Sequence, residues 1–133
     1  MDIYDVKEWL RFADNDLDSA QFLNTAVRKQ FEIICYHCAQ AAEKYLKAYL
    51  INQNIIPKKT HDLVYLNTSC QDFKGDFEKI YDECLFLNRF AQNTRYPYNY
   101  EVTESDVKIA LGYANKIKDF GLISDLRDLS EKY

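Results

Sequence analysis

Between residues 72 and 92 the side chains Phe73, Phe77, Ile80, Cys84, Leu87 and Ala91 recur at spacings of four, three, four, three and four. A strand returns a side chain to one face every second residue and a helix about every 3.6, so a helix gathers this set on one face. The same period marks two earlier segments. Residues 4 to 27 place Val6, Leu10, Ala13, Leu17, Ala20, Leu23 and Val27 at threes and fours, and Trp9 widens the stripe. Residues 29 to 53 carry two rows, Cys35, Cys38, Ala42, Leu46 and Tyr49, and Ile34, Ala41 and Tyr45. A helix apolar on two sides is central in its bundle or lies between that bundle and a partner. Its small side chains Cys38, Ala39, Ala41 and Ala42 admit a close neighbour.

The punctuation between these stripes sets the rest. Only five of 133 residues are Gly or Pro, which favours long uninterrupted helices. In "THDLVYL", Thr60 is placed as an N-cap and Asp62 sits in the first turn, where negative charge suits the helix dipole. A short helix is expected there. Pro97 disfavours helical backbone at Tyr96 and ends the helix before it. Thr103 and Asp106 then resemble a capping box for a helix that turns Val107, Ala110, Leu111, Ala114 and Ile117 inward and stops at Gly121. Leu122, Leu126 and Leu129 allow a further turn or two in a tail over residues 121 to 133. The expected fold is all-α: an antiparallel four-helix bundle with an additional short helix, one domain over 1–133 with its core at about 4–120.

Composition excludes several classes. No apolar run approaches the roughly eighteen residues that span a bilayer, and the start "MDIYDVKEWLRFADND" is too acidic for a signal peptide. A cytoplasmic protein without membrane association is expected. Cys35, Cys38, Cys70 and Cys84 then read as reduced core thiols. A net charge of −4 gives no global field for polyanions, so any phosphate must be held by a local patch. Asp14, Asp16 and Asp18 imitate the opening of a calcium loop, but Ser19 and Thr25 stand where its Gly and Glu belong, leaving a solvated acidic face. Glu43 and Lys47 have the i,i+4 spacing of an exposed helical pair. Cys35, His37 and Cys38 lie inside a continuous helix with no second CxxC, so neither a metal nor another cofactor is expected.

Four pieces in order, "WLRFADNDLDSAQFL", "CYHCAQAAEKYLKAYL", "THDLVYL" and "LNRFAQNTRYPY", resemble the HEPN domain family of small helical bundles, and the "RYP" triplet resembles one branch of it. The resemblance implies a homodimer in which the exits of the third long helix line a shared cleft. It also implies one of three functions: a toxin-type, metal-independent endoribonuclease, a nucleotide- or RNA-binding module working with a small nucleotidyltransferase partner, or a non-enzymatic adaptor. The family's ribonuclease motif is an Arg followed four to six residues later by His. Arg89 corresponds best to that Arg and Arg95 second best, yet neither has its His.

The candidate site is therefore "NRFAQNTRYPYNY", residues 88 to 100. Arg89 and Arg95 offer planar forks to phosphate, or else Arg89 pairs within the bundle with Asp82 or Glu83 and Arg95 is solvated. Tyr96, Tyr98 and Tyr100 stack on a base or pack a dimer interface. Of the two histidines, His37 reads as a partly buried ring with a satisfied hydrogen bond. His61 opens the short helix as a loop anchor and is the remaining candidate for proton transfer.

Overall fold

A computed structural model describes residues 3–92 and 101–131. Those residues form α1 (Val6–Leu23), α2 (Phe31–Asn52), α3 (Leu63–Gln71), α4 (Tyr81–Leu87), α5 (Glu104–Asp119) and α6 (Gly121–Glu131), with 3₁₀ turns at Gly75–Ile80 and Asn88–Phe90 and no strand among them. The all-helical architecture is the one expected. α2 is its axis, packed against α1, α3, α5 and α6. Cys38, Ala39, Ala41 and Ala42 are fully buried, as are Ala13 and Ala20 of α1 and Ala110 and Ala114 of α5. Small side chains at these crossings let the helices approach closely, and Leu17, Ile34, Leu46 and Ile117 fill the space between them.

The helix expected over residues 72 to 92 is not continuous. It runs as a 3₁₀ turn, the short α4 and a second 3₁₀ turn. The buried Asn67 donates through Nδ2 to the Phe77 carbonyl at 2.9 Å, and the Tyr81 N–H bonds Glu78 instead of the carbonyl four residues back. A side chain from α3 thus takes an acceptor that an α-helix would have used. The apolar set still faces inward, with Phe77, Ile80, Cys84, Leu87 and Ala91 buried, while Phe73 is exposed.

Boundaries shift elsewhere for local reasons. α1 ends at Leu23, so Val27 lies beyond the helix and is exposed. Asp62, not Thr60, caps α3: its Oδ1 accepts from the N–H of Val64 and Tyr65, while Thr60 Oγ1 accepts from the N–H of Asp62. The Thr103–Asp106 capping box forms as expected. α5 ends at Asp119, two residues before the expected glycine, because Phe120 takes an extended ψ of 128° and its ring packs edge-on to Phe77. Gly121 instead begins α6, which buries Ile123 and Leu126 and leaves Leu129 exposed.

Charged side chains on α1 and α2 bind the helices together. Tyr45 is fully buried and donates its hydroxyl to Asp14, which also receives both terminal nitrogens of Arg127 from α6 at 2.6 and 2.7 Å. Asp16 accepts from Lys44 and lies 3.0 Å from His37 Nδ1. Of the expected acidic face of α1 only Asp18 is exposed; the half-buried Asp14 and Asp16 join α1 to α2 and α6. A one-helix wheel shows which side a carboxylate takes and is silent about what packs there.

Candidate site at the exit of α4

The segment after α4 is fastened on three sides. Leu87, Phe90 and Ala91 are buried, and Gln40 of α2 reaches the Ala91 carbonyl at 3.4 Å. Asn88 bridges to the start of α3: its Oδ1 accepts from the Leu63 N–H at 2.8 Å and its Nδ2 donates to Asp62 at 3.2 Å. Residues 61 to 63 and 88 to 91 are thereby brought together against one side of α2. Two turns far apart in sequence meet beside the middle of α2.

Arg89 stands on this fixed turn. Its guanidinium carbon is 5.1 Å from the Phe86 ring centre and 5.2 Å from that of Phe90, a cation–π arrangement on two faces. Phe86 in turn packs edge-on to Phe90 and Tyr113. Nη1 is 3.8 Å from Asp106, whose other oxygen closes the capping box of α5, and the Arg89 side chain remains 37% exposed. The pairing with Asp82 or Glu83 weighed from sequence is replaced by this one, because Lys116 takes Glu83 at 2.7 Å. Arg89 and Asp106 also lie near enough to Cys35 to act on its thiol, which burial first of all pushes up to about 12. That cysteine is inert core.

Beside the turn lies a second constellation. Glu43, 4% exposed, points one oxygen at His61 Nδ1, 2.7 Å away, and the other at Lys47 Nζ, 3.0 Å away. Lys47 is itself buried and lies 5.6 Å from the Trp9 ring centre. The expected exposed pair Glu43–Lys47 is thus an interior one. The wheel was right about its spacing, but α2 is wrapped on nearly every side, so its polar row is enclosed with the rest. His61 is the outlet of this group, with its side chain 56% exposed. A carboxylate accepts only, so the bonded Nδ1 carries the hydrogen and Nε2 is the ring nitrogen away from Glu43.

Arg95, Tyr96, Tyr98 and Tyr100 lie outside the described residues. Sequence reasoning singled out Arg89 and His61 separately; it missed that the Asn88 and Gln40 bonds bring their turns together and that Glu43 holds the histidine. The available signal was the polar row Gln40, Glu43, Lys47 on a helix otherwise too apolar to have a wet side. Among the described residues, no group of three or more His, Cys, Asp or Glu is placed to hold a metal ion, and no helix is long and apolar enough to cross a membrane.

No curated protein and no solved structure matches this chain. The family model described as "HEPN domain" matches residues 6–125, which takes in all of α1 to α5 and the start of α6. With the helical fold and the α4 exit in place, that match over nearly the whole sequence shows that the chain belongs to the HEPN domain family.

Proposed function

We propose that the α4 exit binds the phosphates of a nucleotide or of RNA, and that the protein works as a cytoplasmic homodimer with a nucleotidyltransferase partner. The observation that carries the reading is Arg89: a planar fork held over two aromatic rings on a turn fastened by Gln40 and Asn88, with part of its surface open to solvent. Such a guanidinium is pre-aimed, so little side-chain freedom is lost when it takes a phosphate in place of the long contact to Asp106. The sequence adds Arg95, Tyr96, Tyr98 and Tyr100 a few residues on, a second fork and three rings suited to stacking. The homodimer and the partner rest on family membership, with the α4 exits forming the shared cleft.

Titration of the purified protein with ATP, GTP and a short single-stranded RNA tests this reading. Arg89→Ala and Arg95→Ala are each expected to weaken binding about ten- to a hundredfold, the loss of one charge-assisted hydrogen bond of about 1.5–3 kcal/mol. Arg89→Lys keeps the charge without the fork and should recover only part. If both alanine variants bind every ligand as the parent does, no phosphate site exists here; if ligands bind to neither parent nor variants while a nucleotidyltransferase is captured, the adaptor function takes its place. Sedimentation at micromolar concentration is expected to show a dimer, and a monomer would remove the shared cleft.

A further inference from the structure

We propose that the groove between the last turns of α1 and the first half of α2 binds a small primary amine, an ammonium group carried on an apolar stem or ring. Asp18, Ser19, Phe22 and Leu23 of α1 and His37 of α2 line a cavity of about 430 Å³ there, open to solvent. That volume is in the range of sites for small organic ligands. None of the residues of the α4 exit lines it, so this site is separate from the phosphate site.

The polar groups of the cavity are acceptors without a donor. Asp18 forms no ion pair or hydrogen bond among the described residues, and neither does the Ser19 hydroxyl. His37 Nδ1 lies 3.0 Å from one oxygen of Asp16. A carboxylate accepts only, so Nδ1 carries the hydrogen and Nε2 is left as an acceptor. The cations nearest in the fold are engaged elsewhere: Lys44 holds the other oxygen of Asp16, and Lys29, in the turn after α1, pairs with Glu104 at 3.7 Å. A carboxylate, a hydroxyl and an imidazole thus line one cavity with no basic side chain among them. A primary ammonium has three N–H donors and no acceptor, which matches this set in number and in sign. An anionic ligand would meet Asp18 as a like charge.

The backbone favours the same sign. α1 ends at Leu23 with no basic residue in its last turn, so the negative end of its dipole is uncompensated beside the cavity. The apolar half of the ligand is read from Phe22, which is 76% exposed, and from the half-buried Leu23 next to it. A single exposed apolar side chain is ordinary in a folded protein. Here the ring stands four residues from the unpaired Asp18, which makes the two neighbours on the surface of α1. A cation at that carboxylate gains the face of the ring as well, and a short apolar stem covers the ring from water.

The test follows amide NMR signals of the isotope-labelled full chain during titration with phenethylamine, 2-phenylethanol and trimethyl(phenethyl)ammonium. The first has ring, charge and N–H donors; the second lacks the charge and the third lacks the donors. Phenethylamine should move the signals of residues 18–23 and 37 and saturate with a Kd of about 0.1–1 mM. Each of the other two should bind about tenfold more weakly or worse. Asp18→Asn and Phe22→Ser alter exposed side chains, so thermal melting should hold while affinity for phenethylamine falls about tenfold. If phenethylamine gives no saturable shift below about 10 mM, or either variant binds it as the parent does, there is no amine site in this groove. Equal binding of 2-phenylethanol overturns the charge, and equal binding of the trimethyl compound overturns the primary amine. N-acetyl-lysine methylamide binding more than about tenfold tighter than phenethylamine would replace the free amine with a lysine side chain of a partner protein.

Discussion

Glu43→Ala is expected to destabilise the protein by about 3–5 kcal/mol, the range for removing one member of a buried ion pair. The lysine left behind is the reason. Lys47 is 7% exposed, and with the carboxylate gone its ammonium keeps, among the described residues, only the Trp9 ring at 5.6 Å. A ring face attracts a cation far less than a carboxylate does. Against a total folding stability of about 5–15 kcal/mol the loss is severe. Glu43→Met combined with Lys47→Met replaces both charges with flexible apolar side chains of similar length and should regain most of it, because the enclosed charges no longer need a partner. Urea unfolding of the parent, the single variant and the double variant measures this. A single variant within about 1 kcal/mol of the parent would mean that water reaches Lys47 and that the pair is a surface one.

The same residues show where sequence reading reached and where it stopped. Apolar period was enough for the bundle: Leu10, Ala13, Leu17 and Ala20 on α1 and Val107, Ala110, Ala114 and Ile117 on α5 are buried where the stripes put them. Period was not enough where a side chain from elsewhere competes for the backbone. Asn67 is ten residues from Phe77, and nothing in the stripe over residues 72 to 92 announces that it takes the Phe77 carbonyl and breaks the helix into turns. Charges were least legible, because Asp14, Asp16, Glu43 and Lys47 each have the spacing of surface residues on their own helix and are claimed by partners from other elements or enclosed by them. At the candidate site, residue types alone picked out Arg89 and His61. Their joint placement depends on the Asn88 and Gln40 bonds, which tie chain segments 25 and 51 residues apart.

Deleting residues 121–133, the segment that reads as a tail in the sequence, is expected to cost about 3–6 kcal/mol through its apolar contacts alone. Ile123 is fully buried and Leu126 is 2% exposed, and burying a side chain of this size contributes about 1.5–3 kcal/mol each. The deletion also removes Arg127, which holds Asp14 with two hydrogen bonds at 2.6 and 2.7 Å. Acid separates the polar part from the apolar part. Burial pushes the Asp14 carboxyl up, but hydrogen bonds from Arg127 and Tyr45 and the charges of Arg127 and Lys118 outweigh it and hold the group below its usual range. A carboxyl depressed in the folded state contributes stability above its unfolded value of about 3.9, and that contribution disappears as pH falls through the lower folded value. Arg127→Met keeps most of the apolar stem but not the charge, so between pH 5 and pH 2 its stability should fall less than the parent's. At neutral pH the variant should be weaker by about 1.5–3 kcal/mol, the scale of hydrogen bonds to a charged group. Denaturant titrations of the parent, Arg127→Met and the shortened chain across that pH range decide the matter. If the shortened chain matches the parent at neutral pH, α6 is an appendage and the core closes without Ile123 and Leu126; if it falls by the expected amount, the helix beyond Phe120 is part of the cooperative unit.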